Sequence, residues 1–72
     1  MVELGIYHHY KGYKYKVIAN GLLEATQQPV VVYQALYDNP LSSVWVRPEQ
    51  EFLEAVQVDG KLVPRFSFIS KS

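Results

Sequence analysis

Turn-forming residues interrupt this chain at short intervals: Lys11-Gly12, Asn20-Gly21, Pro29, Asp38-Asn39-Pro40, Pro48, Asp59-Gly60 and Pro64. Proline and glycine mark places where regular elements stop, so no long helix fits between them. The intervening segments are rich in Val, Ile, Tyr and Phe, which suit a pleated, half-buried surface. The pattern predicts a mainly β protein: a small SH3-like barrel of about five or six antiparallel strands with one short helical turn. An open, strongly bent sheet is the alternative.

Seventy-two residues make one domain, residues 1–72. So short a chain buries only about 60% of the surface that its unfolded form exposes. It has no cysteine, so disulfides cannot reinforce it, and thiol chemistry and thiolate-bound zinc or iron–sulfur sites are excluded. A dense aromatic core or a partner subunit must supply the stability, and six Tyr, three Phe and one Trp are available for the first. Seven basic residues balance seven acidic ones, which gives no strong footprint for nucleic acid or an anionic membrane. The apolar runs fall far short of the roughly 20 residues that span a bilayer. MVELG has an acid where a signal peptide would be positive. A soluble, cytoplasmic protein is expected.

In YHHYKGYKYK (residues 7–16), strands Ile6–Tyr10 and Tyr13–Ala19 are expected to flank Lys11-Gly12. Alternation puts Tyr13, Tyr15, Val17 and Ala19 on one face and Lys14 and Lys16 on the other. Residues Leu22–Gln28 read as a helical turn or a loop. Pro29–Tyr37 is the strongest strand, with Val31, Tyr33, Ala35 and Tyr37 on one face. Val30, Val32 and Leu36 make the other face apolar too. That second stripe needs a cover: either Phe52 and Leu53, or a second chain in a weak homodimer or docking contact. Ser43–Arg47 is the next strand, with Trp45 and Arg47 side by side. Pro48–Leu53 reads as one helical turn, with proline early and acids in its first turn.

The segment Glu54–Ile69 reads as a hairpin turning at Asp59-Gly60. A two-residue turn would pair Val58 with Lys61 and Val56 with Val63. A three-residue loop would pair Gln57 with Lys61 and Val56 with Leu62. The second register collects Val56, Leu62, Phe66 and Phe68 on one face, and is preferred on that ground. Gly60 is left-handed in this reading, and Phe66 and Phe68 are core.

HYKG (9–12), VVYQALY (31–37), WVRP (45–48), Phe52 and DGKLVPRF (59–66) stand in this order with a spacing that resembles the Domain of Unknown Function 1653 family, small bacterial proteins and domains. The resemblance runs from about Tyr7 to Phe68. It implies an SH3-like barrel and no established activity. Many members carry a basic, histidine-containing loop before the long strand. Here that loop is GLLEATQQ, with neither, so it offers no such ligand contact.

His8-His9 invites a metal reading, but strand neighbours point to opposite faces and no acid stands at ligand spacing. No metal or other cofactor is expected. The serines show no spacing toward a general base, and phosphate-cradling glycine loops are missing, so an enzyme is not expected. His9 fits better as a hydrogen-bonding residue in or beside a pocket. Arg47 suits a bidentate grip on a carboxylate or phosphate. Its competing roles are an ion pair with Glu49, Glu51 or Glu54, or a stack over Trp45. The tyrosines and Trp45 are either core or the wall of a shallow groove. The expected function is a non-catalytic binding module taking an anionic or aromatic-containing ligand, a peptide or a nucleotide-like group, at His9, Tyr10, Tyr33, Trp45, Arg47 and Arg65. The alternative is single-stranded nucleic-acid binding through Lys11, Lys14 and Lys16.

Overall fold

The computed structural model describes residues 1–72 as seven strands and one helical turn. In chain order these are β1 (Gly5–His9), β2 (Lys14–Leu22), β3 (Pro29–Ala35), β4 (Val44–Pro48), α1 (Glu49–Phe52), β5 (Ala55–Val58), β6 (Lys61–Pro64) and β7 (Phe66–Ser70). The fold is mainly β, as the turn spacing predicts. Strands β4-β3-β2-β1-β7 form one antiparallel sheet, and β5 and β6 form a separate hairpin. Hydrogen bonding leaves β4 and β7 as the edges of the large sheet. No helix is long and apolar enough to cross a membrane.

Alternation gives the sheet one packed face. Tyr7 pairs with Tyr15, Gly5 with Val17, Val17 with Tyr33, and Tyr33 with Trp45, so these residues share the inner face. A bulge at Ile18 shifts the register between Val17 and Ala19. Beyond it, Ala19 stands opposite Val32 on the outer face and Asn20 opposite Val31 on the inner one. This corrects the expectation that Ala19 shares a face with Val17, because the extra residue of a bulge reverses the parity.

The core is Val2, Tyr7, Val17, Val31, Tyr33, Phe52 and Phe66, with Tyr15 and Trp45 packed against it. Phe52 on α1 and Phe66 on β7 stack with centroids 4.1 Å apart and planes 6° from parallel. Tyr7 and Tyr33 meet Phe52 at 5.4 and 5.7 Å. Val2 was not foreseen as core. It is held there by Asn20, whose Nδ2 donates to the Val2 carbonyl at 2.8 Å while its Oδ1 accepts the Val2 N–H at 2.9 Å.

Several expectations about the second half are corrected. Phe52 packs on the Val31–Tyr33 face and Leu53 is exposed, so neither covers the Val30–Val32–Leu36 stripe. Val30 is buried beside Gly21, Val32 is half-buried and Leu36 is exposed. The long strand ends at Ala35, and Tyr37 lies in the turn beyond it. The segment 22–28, by contrast, agrees with the expected turn or loop: after Leu22 ends β2 the chain closes as a turn in which the Gln27 N–H donates to the Leu23 carbonyl.

The last hairpin takes the two-residue turn: Val58 pairs with Lys61, Gln57 with Leu62 and Val56 with Val63. Asp59 and Gly60 have φ of 50° and 79°, the double left-handed geometry that matches strand twist in a hairpin. The preferred three-residue register assumed that Leu62 and Phe66 lie on one continuous strand. They do not, because the chain bends at Arg65 and β7 leaves β6 to pair with β1. Leu62 is therefore exposed, Phe66 is buried, and Phe68 on the edge strand is 44% exposed instead of core.

Candidate functional site

The inner face near the β1–β2 turn gathers aromatic rings and cations from five separate segments. His9 pairs with Phe66 across β1 and β7, and their rings stand edge-to-face at 4.9 Å. Tyr10 lies against His9 at 4.6 Å. Tyr15 joins His9 (6.2 Å), Phe66 (5.8 Å) and Tyr33 (5.2 Å) into one cluster. Edge-to-face packing satisfies the ring quadrupoles and makes this floor rigid.

Tyr33 is buried and accepts a hydrogen bond from Arg47 Nε at 3.3 Å. Arg47 also has Glu51 at 3.7 Å, one helical turn ahead. Trp45, half-buried next to Tyr33, donates its indole N–H to the Ser42 carbonyl at 3.1 Å. Arg65 sits at the bend, where its main-chain carbonyl accepts the Tyr10 N–H at 3.0 Å. Its Nε donates to the Glu51 carbonyl at 3.1 Å and its Nη2 to Glu54 Oε1 at 3.2 Å. Lys11 holds its ammonium 5.9 Å from the centre of the Tyr10 ring.

His9 reports the electrostatics of this surface. Burial pushes its pKa down, and the charges of Arg47, Lys11, Arg65 and His8 push the same way. The Lys11 N–H donates to Nδ1 at 3.1 Å, so the neutral ring carries its proton on Nε2 and offers that N–H as a donor. The surface is locally positive although the chain is neutral overall. Burial and the bond to Tyr37 raise the pKa of Tyr15, which therefore stays a neutral phenol.

The structure thus draws His9, Tyr10, Tyr33, Trp45, Arg47 and Arg65 to one face. Tyr33 serves as buried floor beneath Arg47, and both arginines have acidic neighbours. Tyr15 and Phe66 were missed as members of this surface; their places on adjacent strands follow from pairing registers, which no local spacing reveals. Lys14 and Lys16 project from the outer face, opposite His8 and Ile6, while Lys11 lies beside Tyr10. Lys14 and Lys16 therefore do not share a surface with the rings, and only Lys11 does. His8 is likewise exposed on the outer face, away from His9. Two open depressions, of about 320 and 380 Å³, lie elsewhere, where β3 begins and α1 starts. Their walls share Pro29 and Glu49 and include no aromatic ring or arginine, so the aromatic–arginine surface is the better chemical candidate.

The family model described as Protein of unknown function (DUF1653) matches residues 5–68, a span that contains every residue of this surface. The chain is also similar to a protein of that family from Bordetella bronchiseptica, known from its crystal structure. The TM-score is 0.92 and the identity 28%, over 99% of this chain and 91% of that one. No curated protein matches.

Proposed function

The chain belongs to the DUF1653 family, and from that premise we propose that it is a small, non-catalytic binding module of the SH3-like kind, working in the cytoplasm. Its ligand carries an anionic group together with an aromatic or other planar one, as in a peptide or a nucleotide-like group. One observation carries the reading: Arg47, Arg65 and Lys11 converge around the neutral His9, beside the rings of Tyr10 and Tyr15, with Trp45 paired to Tyr33 on the same face. Cations with a rigid aromatic floor suit an anion that also stacks.

Titration of labelled protein with adenosine monophosphate and with an acidic, tyrosine-containing peptide tests this by NMR. Shifts confined to the Trp45 indole N–H and to the amides of His9, Tyr10, Arg47 and Arg65 are expected, and they should be lost in Arg47→Ala. An unresponsive spectrum at millimolar ligand would overturn the proposal, as would shifts centred on the amides of Gln28, Val30 and Glu49.

A further inference from the structure

Arg47 is oriented by one partner and only loosely neutralised by another. Its Nε is fixed on the Tyr33 hydroxyl, whereas the Glu51 carboxylate reaches Nη1 only at 3.7 Å, from a side chain 55% exposed. A charge-assisted hydrogen bond closes to about 2.7–2.9 Å. Glu51 is therefore an electrostatic neighbour of Arg47 without a formed bond. Its main chain does different work, accepting from Arg65 Nε at 3.1 Å, so the turn α1 stays anchored whatever the carboxylate does.

Charge matching narrows what could replace that carboxylate. Around the surface stand three cations (Arg47, Arg65 and Lys11) and two carboxylates (Glu51 and Glu54), with His9 neutral, its Nδ1 already accepting from Lys11. The balance leaves one positive charge. A dianion would put uncompensated charge next to Glu51 and Glu54. A planar, singly charged group matches the guanidinium fork, and His9 Nε2–H supplies a further donor.

Resting on the binding reading above, we propose that Glu51 stands in for a ligand's own carboxylate: the group this surface accepts is a singly charged carboxylate attached near an aromatic ring, and it takes Arg47 over from Glu51. Glu51 then acts as an internal competitor that weakens binding.

The probes are N-acetyl-tyrosine, which has one carboxylate, and a phosphotyrosine blocked at both ends, which has a dianionic phosphate and no carboxylate. Both are titrated by NMR at near-neutral pH into wild type, Glu51→Gln and Glu24→Gln. Glu24 lies in the β2–β3 turn, so its variant makes the same charge change away from the surface. Expected are preferential binding of the carboxylate and a gain of roughly threefold to fivefold in Glu51→Gln that Glu24→Gln does not reproduce, the size of an exposed ion pair. Equal affinities in the two variants would remove the competitor role and leave the binding surface standing. Tighter binding of the phosphate would overturn the choice of carboxylate. Silence of both probes in every variant would remove this inference, and the module reading would then rest on the nucleotide and peptide titrations alone.

Discussion

At the scale of single residues, the densest information lies in Phe66 and His9, paired neighbours on β7 and β1. Phe66 stacks on Phe52 and touches Tyr33, Tyr15 and His9, so no single element can close the hole left by its removal. Phe66→Ala should cost roughly 3–5 kcal/mol in denaturant unfolding, enough to unfold much of so small a domain. Phe68→Ala, at an exposed edge, should cost roughly 1 kcal/mol. A near-native melting temperature for Phe66→Ala would contradict the packing described. His9 makes a different prediction. Its folded pKa lies below the ordinary value of 6.5, so between the two values the unfolded chain binds the proton more readily. The contribution of neutral His9 is complete above about pH 6.5 and is lost as pH falls through the folded value. Unfolding at pH 7.5 and at pH 5, on about this range, should show an acid-side loss in wild type that shrinks in His9→Gln. An imidazole titration for His9 at or above 6.5 would refute it.

At the scale of elements, two glycines hold turns and crossings that other residues cannot. Gly60, with φ of 79°, completes the two-residue turn, and Gly60→Val should destabilise by at least about 1 kcal/mol. Gly5 has φ of 142° where β1 meets β7. A Cβ there would strike the Ser70 carbonyl, with Lys71 Cα at 3.0 Å and the Phe68 ring at 3.1 Å. Gly5→Ala should therefore cost more than Gly60→Val, roughly 2 kcal/mol or above, because backbone has to move. Equal melting temperatures for the two variants would show that the β1–β7 crossing is softer than described. These elements also show what could be read from sequence. The first four strands to within a few residues, the α1 turn and the left-handed Gly60 were legible, because each depends on a few adjacent residues; the division of residues 54–69 into three strands was not. The hairpin register was not. The pattern of Val56, Leu62, Phe66 and Phe68 looks like one face of one strand, and only the bend at Arg65 assigns them to two different pairings. The same limit applies to the site: its residue types stood out, but Tyr15 and Phe66 joined it through registers set by the whole sheet.

At the scale of the molecule, the outer face remains less covered than the inner one. Ile18, Leu36, Val44 and Val46 are exposed there or at its margin, and Val46 stands opposite half-buried Val32. Weak self-association through this face is the expected outcome of sedimentation across a concentration series, and Val46→Lys should abolish it. A strict monomer at high concentration would dispose of it. The inner face gains its strength from neighbours far apart in sequence, with β2 at the centre of the sheet and β1 joining it to β7, the last strand of the chain.

The bend at Arg65 also divides the molecule in time. Between Ala55 and Pro64 no side chain is fully buried, and β5 and β6 pair only with each other. The hairpin is tied to the rest by its flanks, where Arg65 donates its main-chain N–H to the Glu54 carbonyl and accepts from Tyr10. Amides in β5 and β6 should thus exchange with deuterium through local opening, well before those of β2 and β3, which wait for global unfolding. The chain then behaves as a slow-exchanging meander carrying a fast-exchanging flap, with the arginine surface lying along the seam between them.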